Sequence, residues 1–183
     1  MHELGSNPPA VGAVDTAIDP KAFRQVMGSF ASGVTVVTTV AGGDVRGMTV
    51  SAFMSGSLEP PLCVVCVRKQ ARTLPLLLAA GHFGVSILAR SQESLSAHFA
   101  GAPIPDFTPD LIWAGPTPML AHAAAVIAAD IAAQHDCGDH TLLVGAIRHL
   151  ARYDRPPLLV HQGRYASVTH AAEPVPDWVI DLW

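Results

Sequence analysis

The chain is poor in charge. Only 14% of its 183 residues are Asp, Glu, Lys or Arg, and the formal net charge is −4. No basic stripe or run is present, so a general attraction to nucleic acid is excluded. Cysteine is scarce and odd in number. Three cannot all pair, so reduced thiols in a cytoplasmic protein are the expectation. No apolar run reaches the length of a membrane span, and the start shows no basic-then-apolar signal segment. No internal repeat is found. What is abundant is apolar side chain: half of all residues. At this length that composition predicts one domain with a packed core, and the apolar surplus predicts a covered interface, a homodimer.

Element signals follow in order along the chain. Residues 1–17 are small, with Gly and Pro and no period, and read as a flexible arm. Asp19-Pro20 is an N-cap followed by proline at the first helical position. Phe23, Val26, Met27 and Phe30 fall at helical spacing, which predicts an amphipathic helix ending near Gly33. Val34 to Val40 is β-branched throughout and predicts a strand; Gly42-Gly43-Asp44 predicts a hairpin turn. Leu62 to Val67 reads as a strand buried on both faces. Arg72 to Ala80 reads as a short helix stopped by Gly81, Phe83 to Leu88 as a strand, and Ser91 to Phe99 as a helix capped by Ser91. The proline-rich span 101–118 reads as one long irregular connection. Strands are expected at 121–134, 141–153 and 157–161. The tail 171–183 carries Trp178, Ile180, Leu182 and Trp183, apolar groups expected to dock on something. Six or seven strands joined by hairpins, with few helices, predict a mainly antiparallel barrel with helices at its ends.

One segment concentrates chemistry. Residues 47–61 (GMTVSAFMSGSLEPP) carry Thr49, Ser51, Ser55 and Ser57 among mostly apolar neighbours. Read as a continuous strand, they place Thr49, Ser51, Phe53 and Ser55 on one face. Hydroxyls on such a face need partners, and a small polar ligand supplies them. Downstream, Arg68, Lys69 and Arg72 with Thr73 lead into a predicted helix, a combination that suits phosphate.

Other motifs give way to simpler explanations. Cys63 and Cys66 match C-x-x-C, but i and i+3 on a strand face opposite ways, so core packing is expected and no metal site. Gly42 to Thr49 imitates a phosphate loop, yet Met48 stands at the required lysine. No G-x-G-x-x-G follows a strand, and no G-x-S-x-G elbow exists. The run His135-Asp136-Cys137-Gly138-Asp139-His140 reads first as a hairpin turn. A second reading sets His140 at the mouth of a ligand pocket.

Taken together, the blocks FRQVMGSFASGVTVVTT, GMTVSAFMSGSLEPPL, FGVSIL with QESLSAHFAG, GDHTLLVG and PPLLVHQGRY resemble the flavin reductase family. The similarity spans about Phe23 to Val168 and is strongest to the small reductase components of two-component flavin-dependent monooxygenases. It implies an antiparallel split β-barrel over residues 18–170, with FMN or FAD as cofactor and NADH or NADPH as hydride donor. By position it implies that Thr49, Val50, Ser51 and Ala52 meet the isoalloxazine ring, with Thr35 at the ring edge. Ser55, Gly56 and Ser57 would hold the flavin phosphate together with Arg72 and Thr73. Phe99 would help close the flavin pocket. Gly138, Asp139 and His140 would meet the nicotinamide nucleotide, His140 being the catalytic candidate. Ser51 and Ser86 depart from the family pattern, where asparagine is usual.

The implied activity is NAD(P)H-dependent reduction of flavin, delivered to a separate oxygenase. The cofactors carry the chemistry, and the protein supplies proximity and a polar rim. Two other functions compete: a non-catalytic flavin or haem-type binding module, and a split-barrel flavoenzyme that oxidises its own organic substrate. Gly138-Asp139-His140 speaks against the first, since a carrier needs no nicotinamide site. Flavin turnover with no further substrate separates the reductase from both.

Overall fold

The computed structural model describes residues 18–169. The expected arm and tail lie outside those residues. Helix α1 is Pro20–Met27; Asp19 caps it by accepting from the N–H groups of Lys21 and Ala22. It is shorter than the spacing predicts, because Gly28 ends it. Its apolar face is not covered: Phe23, Val26 and Met27 are all more than half exposed.

Seven strands form the main sheet. In chain order they are β2 (Thr35–Ala41), β3 (Asp44–Val50), β4 (Phe53–Ser57), β5 (Leu62–Arg68), β6 (His82–Ile87), β9 (Ala125–Cys137) and β10 (His140–Arg152). Their spatial order is β3-β2-β6-β9-β10-β5-β4, and every pairing is antiparallel. A three-stranded sheet joins β1 (Ser32–Gly33), β11 (Leu159–His161) and β12 (Arg164–Ala166). The proline-rich connection is less irregular than expected: it holds the hairpin β7 (Leu111–Ala114) and β8 (Thr117–Leu120). Short two- to four-residue strands of this kind carry no periodic signal, so the described residues hold more strands than sequence reading counts.

Local chemistry accounts for the turns. Gly42 and Gly43 both take positive φ in the two-residue link from Ala41 to Asp44, the geometry that suits a twisted hairpin. Helix α2 (Leu74–Ala80) accepts Pro75 in its first turn and ends at Gly81 in the left-handed region. A 3-10 turn over Arg90–Gln92 leads into α3 (Glu93–Phe99), so Ser91 lies inside that turn and does not cap the helix.

The core lies inside the rolled main sheet: Val37, Val65, Val67, Leu77, Phe83, Val85 and Leu143 are fully buried there. A second cluster, Val34, Val36, Leu88, Leu120 and Leu158, packs beneath Leu95 and Phe99 of α3. Along β5 burial alternates: Cys63, Val65 and Val67 are buried, while Leu62, Val64 and Cys66 are only half-buried. Within one chain the strand is thus covered on one face only, unlike the expectation. Among the described residues, no helix is long and apolar enough to cross a membrane.

Candidate functional site

Consecutive strands β3 and β4 are the two open edges of the main sheet. The chain steps between them at Ser51 and Ala52, both exposed. That link ties the edges across the seam of the roll: the Cys66 N–H donates to the Ala52 carbonyl at 3.0 Å. Unpaired edge groups are normally blunted, because they attract another chain or a ligand. Here β4 is exposed at Met54, Ser55 and Gly56 and carries a bulge between Ser55 and Ser57.

This break overturns the single hydroxyl face. Thr49 Oγ1 donates to the Ser96 carbonyl at 2.7 Å and turns toward α3. Phe53 packs on the core. The Thr49 link continues, since Tyr165 Oη donates to Ser96 Oγ at 2.9 Å, so β3, α3 and β12 are stitched together. Thr35 is buried, and its Oγ1 donates to the Val50 carbonyl at 2.7 Å. Val50 itself is a core residue. Thr35, Thr49 and Val50 therefore hold the end of β3 in place through internal contacts. Ser86 likewise serves the fold: buried, its Oγ accepts the Leu120 N–H at 2.8 Å. Phe99 packs in the second cluster and over Gly47, where an added Cβ would lie 3.0 Å from its ring. Packing thus accounts for it.

The hydroxyls of Ser51, Ser55 and Ser57 have no hydrogen-bond partner among the described residues. No buried side-chain N or O atom there lacks one either. Gly56 lets β4 close on β5, because a Cβ there would stand 3.3 Å from Leu62 and Val64 side-chain atoms. A flat heterocycle rich in donors and acceptors, with a flexible polar tail, fits such an edge.

A second cluster sits at the far end of β5. The β9–β10 hairpin turns at Gly138 (φ 62°), pairing Cys137 with His140. His140 in turn pairs with Arg68. His140 Nδ1 lies 2.6 Å from Asp139 Oδ1. A carboxylate only accepts, so Nδ1 carries the proton and Nε2 is left for a ligand. This bond, then the His140 charge and Arg68, hold the Asp139 carboxyl below its usual range. Lys69 Nζ is engaged by Asp136 at 2.7 Å.

Register decides which residues meet. Ser57 pairs with Leu62 at the start of β5, and Arg68 ends that strand. Six steps of strand separate them by about 20 Å. Ser57 thus lies at the opposite end of β5 from Arg68, and the turn after Arg68 leads on to Arg72 and Thr73. Thr73 is buried at the start of α2. Ser51 and Ala52 instead lie at the Arg68–His140 end. Arg68 joins the site through cross-strand register; the chain-local signal was only a basic cluster.

A rolled antiparallel sheet with a polar seam between its edge strands defines the split-barrel class of flavin reductase folds. The sequence bears this out. A family model described as the flavin reductase like domain matches residues 27–169, and the chain belongs to that family. It is 39% identical over 160 residues to an NADH-dependent flavin reductase of a Rhodococcus species, covering 86% of this chain and 91% of that protein. It is 40% identical over 146 residues to the reductase component of 4-hydroxyphenylacetate 3-monooxygenase of Thermus thermophilus, covering 79% and 94%. The solved NADH:FAD oxidoreductase SgcE6 of Streptomyces globisporus C-1027, in complex with NAD and FAD fragments, superposes with a TM-score of 0.78 at 35% identity, covering 86% and 99%.

Proposed function

We propose that this protein is an NADH-dependent flavin reductase that supplies reduced FMN or FAD to a separate oxygenase. The observation that carries the reading is that the Ser51–Ala52 link and the Arg68–His140 pair lie at the same end of β5. The Ser51–Ala52 link bonds to Cys66, two residues from Arg68, whose register partner is His140. A flavin at the link and a nicotinamide at His140 would then be neighbours.

When bound, flavin supplies a hydride acceptor for the reduced nicotinamide. Ser51 and the open edge of β4 bind the ring. Ser55, Ser57 and the N–H groups of the bulge at Gly56 take the phosphate end. Asp139 holds the His140 ring, and His140 presents Nε2 to the nicotinamide nucleotide. No side chain is required to move a proton in this scheme; orientation and proximity are the protein's contribution.

The wider reading has its own supports. A homodimer would cover the half-buried outer row Leu62, Val64 and Cys66 and the exposed face of α1. The three cysteines are free, in keeping with the cytoplasm. Residues 18–170 form the reductase domain, with 1–17 an arm and 171–183 a tail. NADPH is kept as a second donor to compare.

The deciding experiment follows nicotinamide oxidation by purified protein, with NADH or NADPH, and with no flavin, FMN, FAD or riboflavin added. Oxidation that saturates with added flavin supports a reductase releasing its product. Absence of oxidation in every combination refutes the reading and leaves a flavin-binding module or a substrate-specific flavoenzyme.

A further inference from the structure

We propose that Arg68 is the anion anchor of the nicotinamide site, its guanidinium binding the pyrophosphate of NADH beside His140. This rests on the reductase reading and extends it to a residue outside the recognised motifs.

Three observations carry it. First, Arg68 and His140 are direct cross-strand partners, and such partners share a face with Cβ atoms about 5 Å apart. Val67 is buried and Arg68 exposed, so that face is the outer one. Second, the neighbouring charges are already committed. Lys69 is held by Asp136 at 2.7 Å, and Asp139 is held by His140 at 2.6 Å. Arg68 has no carboxylate within ion-pair distance among the described residues. The cluster therefore has a cation without an ion-pair partner beside an imidazole whose Nε2 has no hydrogen bond among the described residues. Third, the Arg68 backbone is fixed. The Lys69 N–H donates to the Asp139 carbonyl at 3.0 Å, which pins the end of β5 to the β9–β10 turn.

The chemistry selects the ligand. A guanidinium offers a planar fork of donors that matches phosphate oxygens, and it stays charged at any working pH. In a nicotinamide dinucleotide the pyrophosphate follows the ring after one ribose. A ring seated at His140 thus brings its diphosphate within reach of the adjacent arginine. Arg72 is a weaker candidate because it lies beyond the turn and is no register partner of His140.

The test uses full-length protein and the variants Arg68→Gln and Arg68→Lys. Binding of NADH to flavin-free protein is read from nicotinamide fluorescence. KM is measured for NADH and for reduced nicotinamide riboside, which carries no phosphate. Arg68→Gln should weaken NADH binding and raise its KM roughly 10- to 100-fold. It should leave the riboside KM unchanged and flatten the salt dependence of NADH binding. Arg68→Lys should recover part of the loss. Unchanged NADH affinity, or equal losses for NADH and the riboside, would overturn the assignment. If Arg68→Gln does not fold, Arg68→Lys decides: a several-fold rise in KM for NADH alone supports the anchor, and none overturns it. Wild-type protein that binds NADH but reduces no flavin refutes the reductase reading instead, and the fluorescence titrations still judge Arg68.

Discussion

Gly84 is where the barrel has least room. It pairs with Thr38 on β2 and Ala128 on β9, and β8 crosses over it. A Cβ built there would stand 2.1 Å from the Pro118 carbonyl oxygen and 2.8 Å from Thr38 Oγ1. Both neighbours resist displacement, because Thr38 Oγ1 donates to that same carbonyl at 2.5 Å. Gly84→Ala must therefore push β8 off the sheet. Overpacking of this kind costs about 1–3 kcal/mol. Loss of the buried Thr38 bond adds about 1–3 kcal/mol. Together these lower the melting temperature by on the order of 10 °C for a chain of this size. The assay is thermal unfolding by circular dichroism, with Gly33→Ala as a control. Gly33 has nothing within 4 Å of an added Cβ, so its variant should stay within about 1 kcal/mol of the parent. A Gly84→Ala melting temperature within two or three degrees of the parent would refute the reasoning.

Further outcomes are expected. Ser55→Ala with Ser57→Ala should cut the preference for FMN over riboflavin about tenfold, while Arg72→Gln leaves it unchanged; the reverse in flavin titrations would move the phosphate to the α2 end. His140→Ala should raise the KM for NADH and spare flavin affinity. Asp139→Ala should do so more mildly, with Asp139→Asn restoring most of the loss because the amide oxygen still accepts from Nδ1. Since the Asp139 carboxyl titrates below its usual value, its contribution is present above that value and lost only as pH falls through the folded one. The histidine NMR signals should therefore show the contact intact at pH 5. Alkylation should mark exposed Cys137 first, Cys66 more slowly and buried Cys63 only on unfolding. Burial raises the Cys63 thiol to about 11. Unfolded chains then lose this proton first, so stability should fall between pH 9 and 11, by up to about 3 kcal/mol. A Cys63→Ala variant with the same slope would remove that thiol as the cause.

The strands legible in the chain are those with a strong local cause. VTVVTTV is β-branched, and the glycines at 42, 43 and 81 mark turns that the structure places where expected. The opposite faces of Cys63 and Cys66 follow from strand alternation alone. The short β7 and β8 were invisible, because four residues around prolines carry no period. The site was half legible. Serines near a turn and a histidine after Gly-Asp can be read in one dimension. Whether a hydroxyl is free cannot: Thr49 and Ser51 are two residues apart, yet one is bound to Ser96 on α3 and the other is open.

The sequence by itself determined the antiparallel sheet, the family and the two polar segments, because alternation, turn residues and ordered blocks are local properties. Only the tertiary structure decided that β3 and β4 are opposite edges meeting at a seam. Only it set Ser57 and Arg68 at opposite ends of β5 and made Arg68 the neighbour of His140. Strand pairing joins residues 72 positions apart as readily as adjacent ones, and register, which the whole core fixes, chooses among them.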